Sequence, residues 1–413
     1  MASQAMPMAA VTTGLAEDEA APPSAAGAAG AASGAYEARL HTSLEAVKPL
    51  WLRLETTGVC TGHQHFAWAE GIVERLVPPR AELAIVEVRD AATGEPVMLL
   101  PLMRRRAFQH WVIEWLSCGV CDYSAPLLAD TTSWTRQSAE AAWAAVLCVL
   151  PPADRIHIVG IPKEVGGVAN PLALLSPARD SIHSHYGIAM DGDAETVVKR
   201  ICRPSFVKAL NKDLRRLDRN GGLALVEADT PALVDSIFGR LIEMRLSRFR
   251  ELGRFDLLAQ PRVVDFYRDA AHRGLTDGSV RIFGLRAGDA MVAVQYLAVH
   301  LGTLHALLVA IDQGAVPNVS PGLCIMGELI RWGRGQGFDY FDLSVGNQSY
   351  KEHMGAVKSV LSELCYGITL KGVAASGAIK YRGKGVAFVR DNPRLFKVAQ
   401  EVMQRWRRLR APR

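Results

Sequence analysis

The strongest constraint on the fold is a run of three apolar stretches in the second half of the chain. Residues 280–285, 290–299 and 303–311 are rich in Val, Ile, Leu and aromatic residues. Two short turns join them, Ala287-Gly288-Asp289 and Leu301-Gly302. Apolar runs of this length between turn residues predict strands, and such short turns predict an antiparallel meander.

Helical patterns surround the meander. Thr230 and Pro231 begin a helix whose apolar residues recur at helical spacing until Gly253, and Pro261 begins another that we expect to end at Gly274. After the meander the sequence predicts a loop at 312–320, a helix at 321–335 and a strand at 338–345. A short helix from residue 347 and a last strand near 359–370 follow.

The first half shows the same order of elements. Helical stretches are predicted near 43–55 and 66–77, strands near 82–89, 96–103 and 110–117, a helix near 136–150 and a strand at 155–160. This order indicates an internal duplication of fold without sequence identity. We therefore predict a first domain at 39–190 and a second at 191–370.

The two ends of the chain differ from these domains in composition. Residues 1–38 are dominated by Ala, Gly, Ser, Pro and Thr, which predicts a disordered tail. Residues 371–413 hold 12 Lys and Arg against two acids, a net charge of +10, whereas the whole chain carries +5. This basic tail suits the anionic inner membrane surface, and a solvated terminal helix is an equal alternative.

Cysteine usage and hydropathy indicate the compartment. The chain has seven cysteines, an odd number, so we do not expect a disulfide framework. We expect a cytoplasmic location. Cys118 and Cys121 have the spacing of metal ligands, but a zinc ribbon needs a second pair, so buried or incidental thiols are favoured and no metal is predicted. No apolar run approaches the roughly 18 residues of a membrane span.

The order of elements in the second half is similar to that of the GNAT fold. That resemblance implies that the strand before the loop separates from its neighbour, and that the pantetheine of acyl-CoA lies in the opening. The pyrophosphate would meet the next helix, whose N-terminal N–H groups favour an anion. Here that helix begins at Ser320-Pro321-Gly322-Leu323, where Ser320 can cap the helix and Gly322 allows close approach to the backbone.

A longer motif resembles one particular branch of this fold. The residues that carry it are Ser320, Pro321, Gly322, Gly337, Phe338, Asp339, Phe341, Asp342, Tyr350, Lys351 and Gly355. They resemble the CelD/BcsL-type GNAT acetyltransferases of cellulose and exopolysaccharide clusters. The resemblance spans roughly residues 45–370, with Trp51, Phe66, Trp68 and Asp122-Tyr123 in the first half. It implies an α/β protein of two tandem GNAT-like acyltransferase units, each a mixed, mostly antiparallel sheet flanked by helices.

The same resemblance implies acetyl-CoA or another acyl-CoA as donor. The usual GNAT phosphate loop, Gln or Arg followed by Gly-x-Gly, is absent from this sequence. The donor is therefore inferred from the resemblance and not from a fingerprint.

Acyl transfer needs proton transfers at the nucleophile and at the leaving thiolate. Standard GNAT sites use a tyrosine from the helix after the parallel strand, so Tyr350 is the candidate acid, with packing of its ring as the alternative. Lys351 could hold a phosphate or the substrate. Neighbouring positions on a helix point in different directions, so one of the two residues could be structural.

Asp339 and Asp342 are the candidate bases or substrate anchors. Alternation along a strand puts them on opposite faces. Asp342 is preferred because it lies nearer the carboxyl end of the strand, where ligands collect in α/β sheets. His305 and Tyr296 are weaker candidates, since a single His in a meander is more often structural.

The segment from Ser205 to Arg219 predicts a basic amphipathic helix. Phe206, Leu210, Leu214 and Leu217 share one face, and Lys and Arg occupy the rest. Such a helix could be solvated surface, or it could hold the pyrophosphate of the donor or of a lipid-linked sugar.

Together these observations predict an acyl-CoA-dependent N- or O-acyltransferase, in particular an acetyltransferase, acting on a sugar or polysaccharide precursor. Its expected partners are a small-molecule or lipid-linked sugar and, through the basic tail, the membrane surface; DNA is not expected. Two alternatives stay open, an aminoacyl-tRNA-dependent transferase of the peptidoglycan type and a non-catalytic GNAT-like regulatory module.

Overall fold

The structure is a computed structural model that describes residues 34–377 except 131, 220, 313 and 315. Within this range the strands are β1 (Tyr36–His41), β2 (Glu82–Asp90), β3 (Pro96–Ala107), β4 (His110–Trp115), β5 (Leu127–Leu128), β6 (Arg155–Ile161), β7 (Glu164–Val165), β8 (Val168–Ala169), β9 (Arg179–Ala189), β10 (Leu223–Glu227), β11 (Val280–Ala287), β12 (Ala290–His300), β13 (Thr303–Ile311), β14 (Tyr340–Val345) and β15 (Val357–Gly367). The helices are α1 (Lys48–Thr57), α2 (Phe66–Arg75), α3 (Arg136–Val149), α4 (Pro171–Leu174), α5 (Val197–Ile201), α6 (Pro204–Asp218), α7 (Pro231–Glu251), α8 (Pro261–Asp277), α9 (Pro321–Gly335) and α10 (Ser349–His353).

Local sequence signals set most of these boundaries. The side chain of Thr230 accepts a hydrogen bond from the backbone N–H of Leu233 at 3.3 Å, so it caps α7 as predicted. The meander is confirmed as β11, β12 and β13, and the helix predicted at 321–335 is α9. The basic segment after residue 203 is α6, which buries Phe206, Leu210 and Leu217.

The predicted end of α8 was wrong. The helix passes through Gly274 and ends at Asp277, followed by Gly278 with a positive φ of 71°. Gly274 serves packing instead, because a Cβ there would lie only 2.4 Å from the carbonyl oxygen of Val280 on β11. The glycine therefore lets α8 lie close against the sheet.

A single 13-stranded sheet runs through the molecule in the order β1-β2-β3-β4-β6-β15-β9-β14-β13-β12-β11-β10, with β5 beside β3. Only β4 with β6 and β13 with β14 are parallel; the other pairs of the described sheet are antiparallel. Each half therefore contains a meander followed by one parallel strand.

The two halves exchange strands at their junction. β9, which precedes residue 190, pairs with β14, whereas β15 from the end of the second half pairs with β6. β9 and β15 also pair with each other. If the chain is divided near residue 190, β9 of the first half therefore lies beside strands of the second half, and β15 of the second half lies beside a strand of the first.

Helices cover both faces of the sheet. On one face α1, α2, α7 and α8 share a core that joins the halves, for example where Trp68 packs edge-on against Phe266 with ring centroids 4.7 Å apart. On the other face α5, α6 and α9 cover the second half, and α3 covers the first. This shared core makes the two halves one packed body.

β1 lies partly in the segment that the sequence analysis placed in the N-terminal tail. Residues 36–41 pair antiparallel with β2 from Asp90 to Ile85. Tyr36, Ala38 and Leu40 pack against the first-half core, and three alternating residues are too short a pattern to detect in an Ala-rich sequence. Residues 1–33 of that tail, and residues 378–413 of the basic tail, lie outside the described residues.

No helix in the described part of the chain combines the length and the apolar character that a membrane crossing requires.

Candidate functional site

The parallel strands of the second half separate after three residue pairs. Thr303 pairs with Tyr340, Leu304 with Phe341 and His305 with Asp342. Beyond this point β13 continues along β12 to Ile311, whereas β14 stays with β9. The separation leaves part of the inner edge of β13 without a strand partner, so a cleft opens within the sheet.

The cleft has a volume of about 180 Å³ and lies between α7 and α9. Its polar lining consists of Arg245, Arg248 and Arg254 from α7 and the turn after it, Gln295 from β12, and Ser344, Gln348, Tyr350 and Lys351 from β14 to α10. Most of the remaining lining is apolar. Among the described residues no Asp or Glu lines this cleft, so it presents an excess of positive charge to a ligand.

Ser344 closes the inner end of the cleft in a strained backbone conformation. Its φ of 63° lies in the left-handed region, at the irregularity where the pairing of β14 with β9 shifts. Its N–H donates to Asp342 Oδ1 at 2.8 Å, its hydroxyl donates to Asp122 Oδ2, and its carbonyl accepts from Lys351 Nζ at 3.0 Å. Strain held by so many contacts is typical of functional sites.

Tyr350 and Lys351 both reach the cleft from α10. Burial raises the pKa of the half-buried Tyr350 to about 12, so its phenol keeps its proton at neutral pH. Lys351 is buried, and its Nζ donates to the carbonyls of Ser344 and Val345 at 3.0 and 3.3 Å. Burial lowers its pKa to about 8. Lys351 therefore holds the end of β14, while the Tyr350 phenol is available to a ligand.

Asp342 points away from the cleft into a buried polar network. Its Oδ1 accepts from the Tyr123 hydroxyl and from the Ser344 N–H, both at 2.8 Å, and its Oδ2 accepts from His305 Nδ1 at 2.8 Å. Burial opposes ionisation, but the hydrogen bond from His305, the electrostatic effect of His305 and His185, and the hydrogen bond from the Ser344 N–H outweigh it and hold the pKa of Asp342 at about 2. The carboxylate is thus poorly suited to accept a proton at neutral pH, and it positions Ser344.

The tautomer of His305 follows from its second partner. The backbone N–H of Gly62 donates to His305 Nε2 at 3.3 Å. A backbone N–H is only a donor, so Nε2 carries no proton and Nδ1 donates to Asp342. His305 is therefore a buried structural link between the two halves, as the sequence favoured. Tyr296 is also structural, since it is fully buried and donates to the Tyr267 carbonyl at 3.0 Å.

The first half contributes Asp122 to this network. Burial raises the pKa of its carboxyl to about 6 even though the Ser344 hydroxyl bonds to it. Asp122 and Asp342 thus lie on either side of Ser344 with pKa values displaced in opposite directions. Such a division suits one carboxylate for proton transfer and the other for a fixed charge.

The start of α9 lies beside the cleft. Ser320 makes no capping bond through its side chain; its backbone N–H donates to Asp213 Oδ2 at 3.1 Å, and the Leu323 N–H donates to the Ser320 carbonyl at 3.0 Å. Gly322 lies against Ile311, which lines the cleft, since a Cβ at 322 would be 3.1 Å from Ile311 Cγ2. Thus Ser320, Pro321, Gly322 and Leu323 adjoin the cleft without lining it.

Sequence reasoning missed Ser344 and the role of the Asp122-Tyr123 pair. The pair belongs to the motif quoted above, but nothing in the sequence connects it to residues more than 200 positions away. An acid and a phenol beside two cysteines were the only local signal.

Residues 204–352 match the family model described as Acetyltransferase (GNAT) domain. This part of the chain is similar to a GNAT acetyltransferase domain. The match covers β10 to β14 and therefore the cleft. No curated protein has a sequence that matches this chain.

Solved structures extend the similarity over both halves. FemX is 9% identical, with 79% of this chain and 97% of that chain covered and a TM-score of 0.52. L-PGS from Bacillus licheniformis is 12% identical, with coverages of 81% and 96% and a TM-score of 0.47. A tandem GNAT protein from the clavulanic acid biosynthesis pathway is 12% identical, with coverages of 80% and 98% and a TM-score of 0.43.

The predicted fold class is confirmed. The chain has a GNAT-type acyltransferase fold made of two tandem GNAT-like units, with a mostly antiparallel sheet flanked by helices.

Proposed function

We propose that the second unit is an acyl-CoA-dependent N- or O-acyltransferase, in particular an acetyltransferase. The observation that carries this proposal is the separation of β13 from β14 after His305 and Asp342, with Ser344, Tyr350 and Lys351 around the opening. An edge strand with free backbone groups suits an extended, amide-containing donor. The cationic lining suits the donor's phosphates.

The polar residues around the end of β14 then have defined roles. Tyr350 gives its proton to the departing thiolate. The Ser344 hydroxyl takes the acceptor's proton while passing its own to Asp122, so that one proton moves along the bond already present. Lys351 and Asp342 keep Ser344 in place from two sides. The sequence favoured Asp342 as the base, whereas its lowered pKa favours a positioning role, and comparison of Asp342 variants with Asp122 variants separates the two assignments.

The acceptor is proposed to be an amino sugar or sugar hydroxyl of an exopolysaccharide or cellulose precursor. This part rests on the sequence motif from Ser320 to Gly355 and on the open cleft between α7 and β14. A cytoplasmic enzyme at the inner membrane surface fits a lipid-linked precursor and a tail of net charge +10.

Calorimetry with the full chain tests the donor. We expect acetyl-CoA and desulfo-CoA to bind with a single stoichiometric site, and acetyl-CoA to be consumed when glucosamine is added. Binding of charged tRNA without binding of acetyl-CoA would transfer the proposal to the aminoacyl-tRNA-dependent alternative. Donor binding without turnover on any amine or hydroxyl acceptor would favour the regulatory module.

Asp122→Asn should remove a pH dependence of turnover. In the wild type, turnover with saturating acetyl-CoA should rise as pH increases from about 5 to 7 with a midpoint near 6, because the carboxylate must be deprotonated to accept the proton. The amide variant should be slow and lack this limb. An unchanged limb in Asp122→Asn would point to another base, and loss of the limb in Asp342→Asn alone would identify Asp342.

Gly322→Ala should weaken acetyl-CoA binding about tenfold if the donor's pyrophosphate approaches the start of α9, because a methyl group separates phosphate and backbone. The new Cβ would lie 3.1 Å from Ile311 Cγ2, a contact that needs only a small shift. Calorimetry measures the change, with thermal melting as the folding control. Wild-type affinity in a folded variant would place the pyrophosphate elsewhere.

A further inference from the structure

The cleft contains more positive charge than its internal contacts neutralise. Arg245, Arg248, Arg254 and Lys351 line it, and no acidic side chain of the described chain does. Two of the four are already committed to the protein. Arg245 forms a buried ion pair with Asp256 at 2.7 Å and donates to the Val309 carbonyl, and Lys351 donates to backbone carbonyls.

Arg248 and Arg254 are the remaining pair. Among the acids of the described residues, Arg248 contacts Glu251 alone, at 3.2 Å, and the Glu251 side chain is 62% exposed, so water screens that contact. The Nε of Arg248 is buried and has no hydrogen-bond partner within the described part of the chain. In the part of the chain that the structure describes, no carboxylate is paired with Arg254.

The two guanidinium groups also influence each other. Partial burial and then the charge of Arg248 lower the pKa of Arg254. Like charges repel, and a stable fold does not by itself require such a pair at the rim of a cleft. An anion between them would remove the repulsion and supply the acceptor that Arg248 Nε lacks.

A buried amide points to a second polar contact with the ligand. Gln295 lines the same cleft and is 1% exposed, and its Nε2 donates to the Tyr296 carbonyl at 3.1 Å. Its Oε1 is buried, and no described residue donates a hydrogen bond to it. That oxygen accepts only from N–H or O–H groups, so a ligand in the cleft that contacted it would present a hydroxyl or amide as well as an anion.

We propose that Arg248 and Arg254 form a binding site for a phosphate or pyrophosphate group of a substrate, with Gln295 accepting a hydrogen bond from the same molecule. This proposal rests on the proposed function, and it specifies which chemical group of a substrate the cleft binds. The N–H groups of a guanidinium match the oxygens of a phosphate in geometry. Two guanidinium groups together offer more N–H donors than a single carboxylate can accept. The phosphate belongs either to the acyl donor or to a phosphorylated sugar acceptor.

Titration of the full chain with inorganic pyrophosphate tests the site without requiring turnover. We expect saturable binding by the wild type and a loss of about tenfold or more in affinity in Arg248→Ala/Arg254→Ala, since charge-assisted contacts to phosphate are among the strongest polar ones. Arg250→Ala is the matched control, because Arg250 is exposed on the same helix and does not line the cleft. Arg248→Lys/Arg254→Lys, which keeps the charge, should lose less.

The same titrations overturn the proposal in two ways. Absence of pyrophosphate binding by the wild type would do so, and so would equal affinities in the double alanine variant and Arg250→Ala. Thermal melting shows whether each variant is folded, and the double lysine variant replaces the alanine variant if the latter is not. These outcomes do not depend on whether the chain transfers an acyl group.

Two further titrations identify the source of the phosphate. A tenfold loss of acetyl-CoA affinity in the double alanine variant assigns the site to the donor. Unchanged acetyl-CoA affinity together with a similar loss for glucosamine 6-phosphate, and no such loss for glucosamine, assigns it to the acceptor. If neither phosphorylated molecule binds more weakly to the variant, the assignment to a substrate phosphate is wrong.

Discussion

Tyr350→Phe should lower turnover by about 10²- to 10⁴-fold while leaving acetyl-CoA affinity nearly unchanged, since general acid catalysis contributes on this scale. The phenol acts only as the thiolate leaves, so its removal raises the transition state without altering the ground state. Steady-state kinetics gives turnover, and calorimetry gives the affinity.

Tyr340→Phe is the matched control for this experiment. Tyr340 lies on β14, and burial raises its pKa to about 12 as it does for Tyr350, but it faces Gly187 of β9 and does not line the cleft. We expect the control to retain most of its turnover. If both folded variants lose less than about threefold, the Tyr350 phenol only packs, and proton transfer falls to the Ser344 and Asp122 pair.

Asp342→Asn should destabilise the fold and slow the reaction together. An amide has one acceptor oxygen where the carboxylate has two, and three donors converge on the carboxylate from Tyr123, Ser344 and His305. Whichever way the amide is turned, its NH₂ group faces a donor. Each buried donor left without an acceptor costs about 1–3 kcal/mol, measurable as a lower free energy of unfolding in urea.

Asp339→Asn provides the comparison. Asp339 lies three residues earlier, its side chain is 80% exposed, and it pairs with Arg334 at the surface. Its loss should change the free energy of unfolding by no more than about 0.5 kcal/mol. Equal destabilisation by the two substitutions would contradict the network described for Asp342.

The pH dependence of this difference has a defined sign. The folded-state pKa of Asp342 is about 2, below the ordinary value of 3.8. Its stabilisation is therefore fully present above about pH 4 and is lost as the pH falls toward 2. The gap in unfolding free energy between wild type and Asp342→Asn should narrow over this range. A gap in unfolding free energy that is constant from pH 5 to pH 2 would mean that the pKa of Asp342 is not lowered in the folded state.

The candidate site could be predicted only in part. Asp342 lies buried on β14, whereas Asp339 precedes that strand and is 80% exposed, so alternation along the strand does not account for their different environments. Tyr350 and Lys351 lie after the end of β14 and line the cleft. The role of each side chain could not be read from spacing. Ser344, whose backbone is in the left-handed conformation, turns the chain at the end of β14. Hydrogen bonds from Tyr123 and His305 hold the carboxylate of Asp342 on the side away from the cleft.

The sequence by itself determined the elements whose signals are local. Pro at the first helical position, turn glycines and apolar periodicity define α7, α9 and the meander within a few residues, because these preferences act over one or two turns of chain. The same signals recur in the first half, and they were sufficient to predict the tandem architecture.

Only the tertiary structure decided how the two units combine. The exchange of β9 and β15, and the bond from Ser344 to Asp122, join segments far apart in the sequence. Long-range pairings of this kind are selected by which apolar faces and polar groups can be satisfied together, and no window of sequence contains that information. For this reason the contribution of the first unit to the site emerges only when the chain is folded.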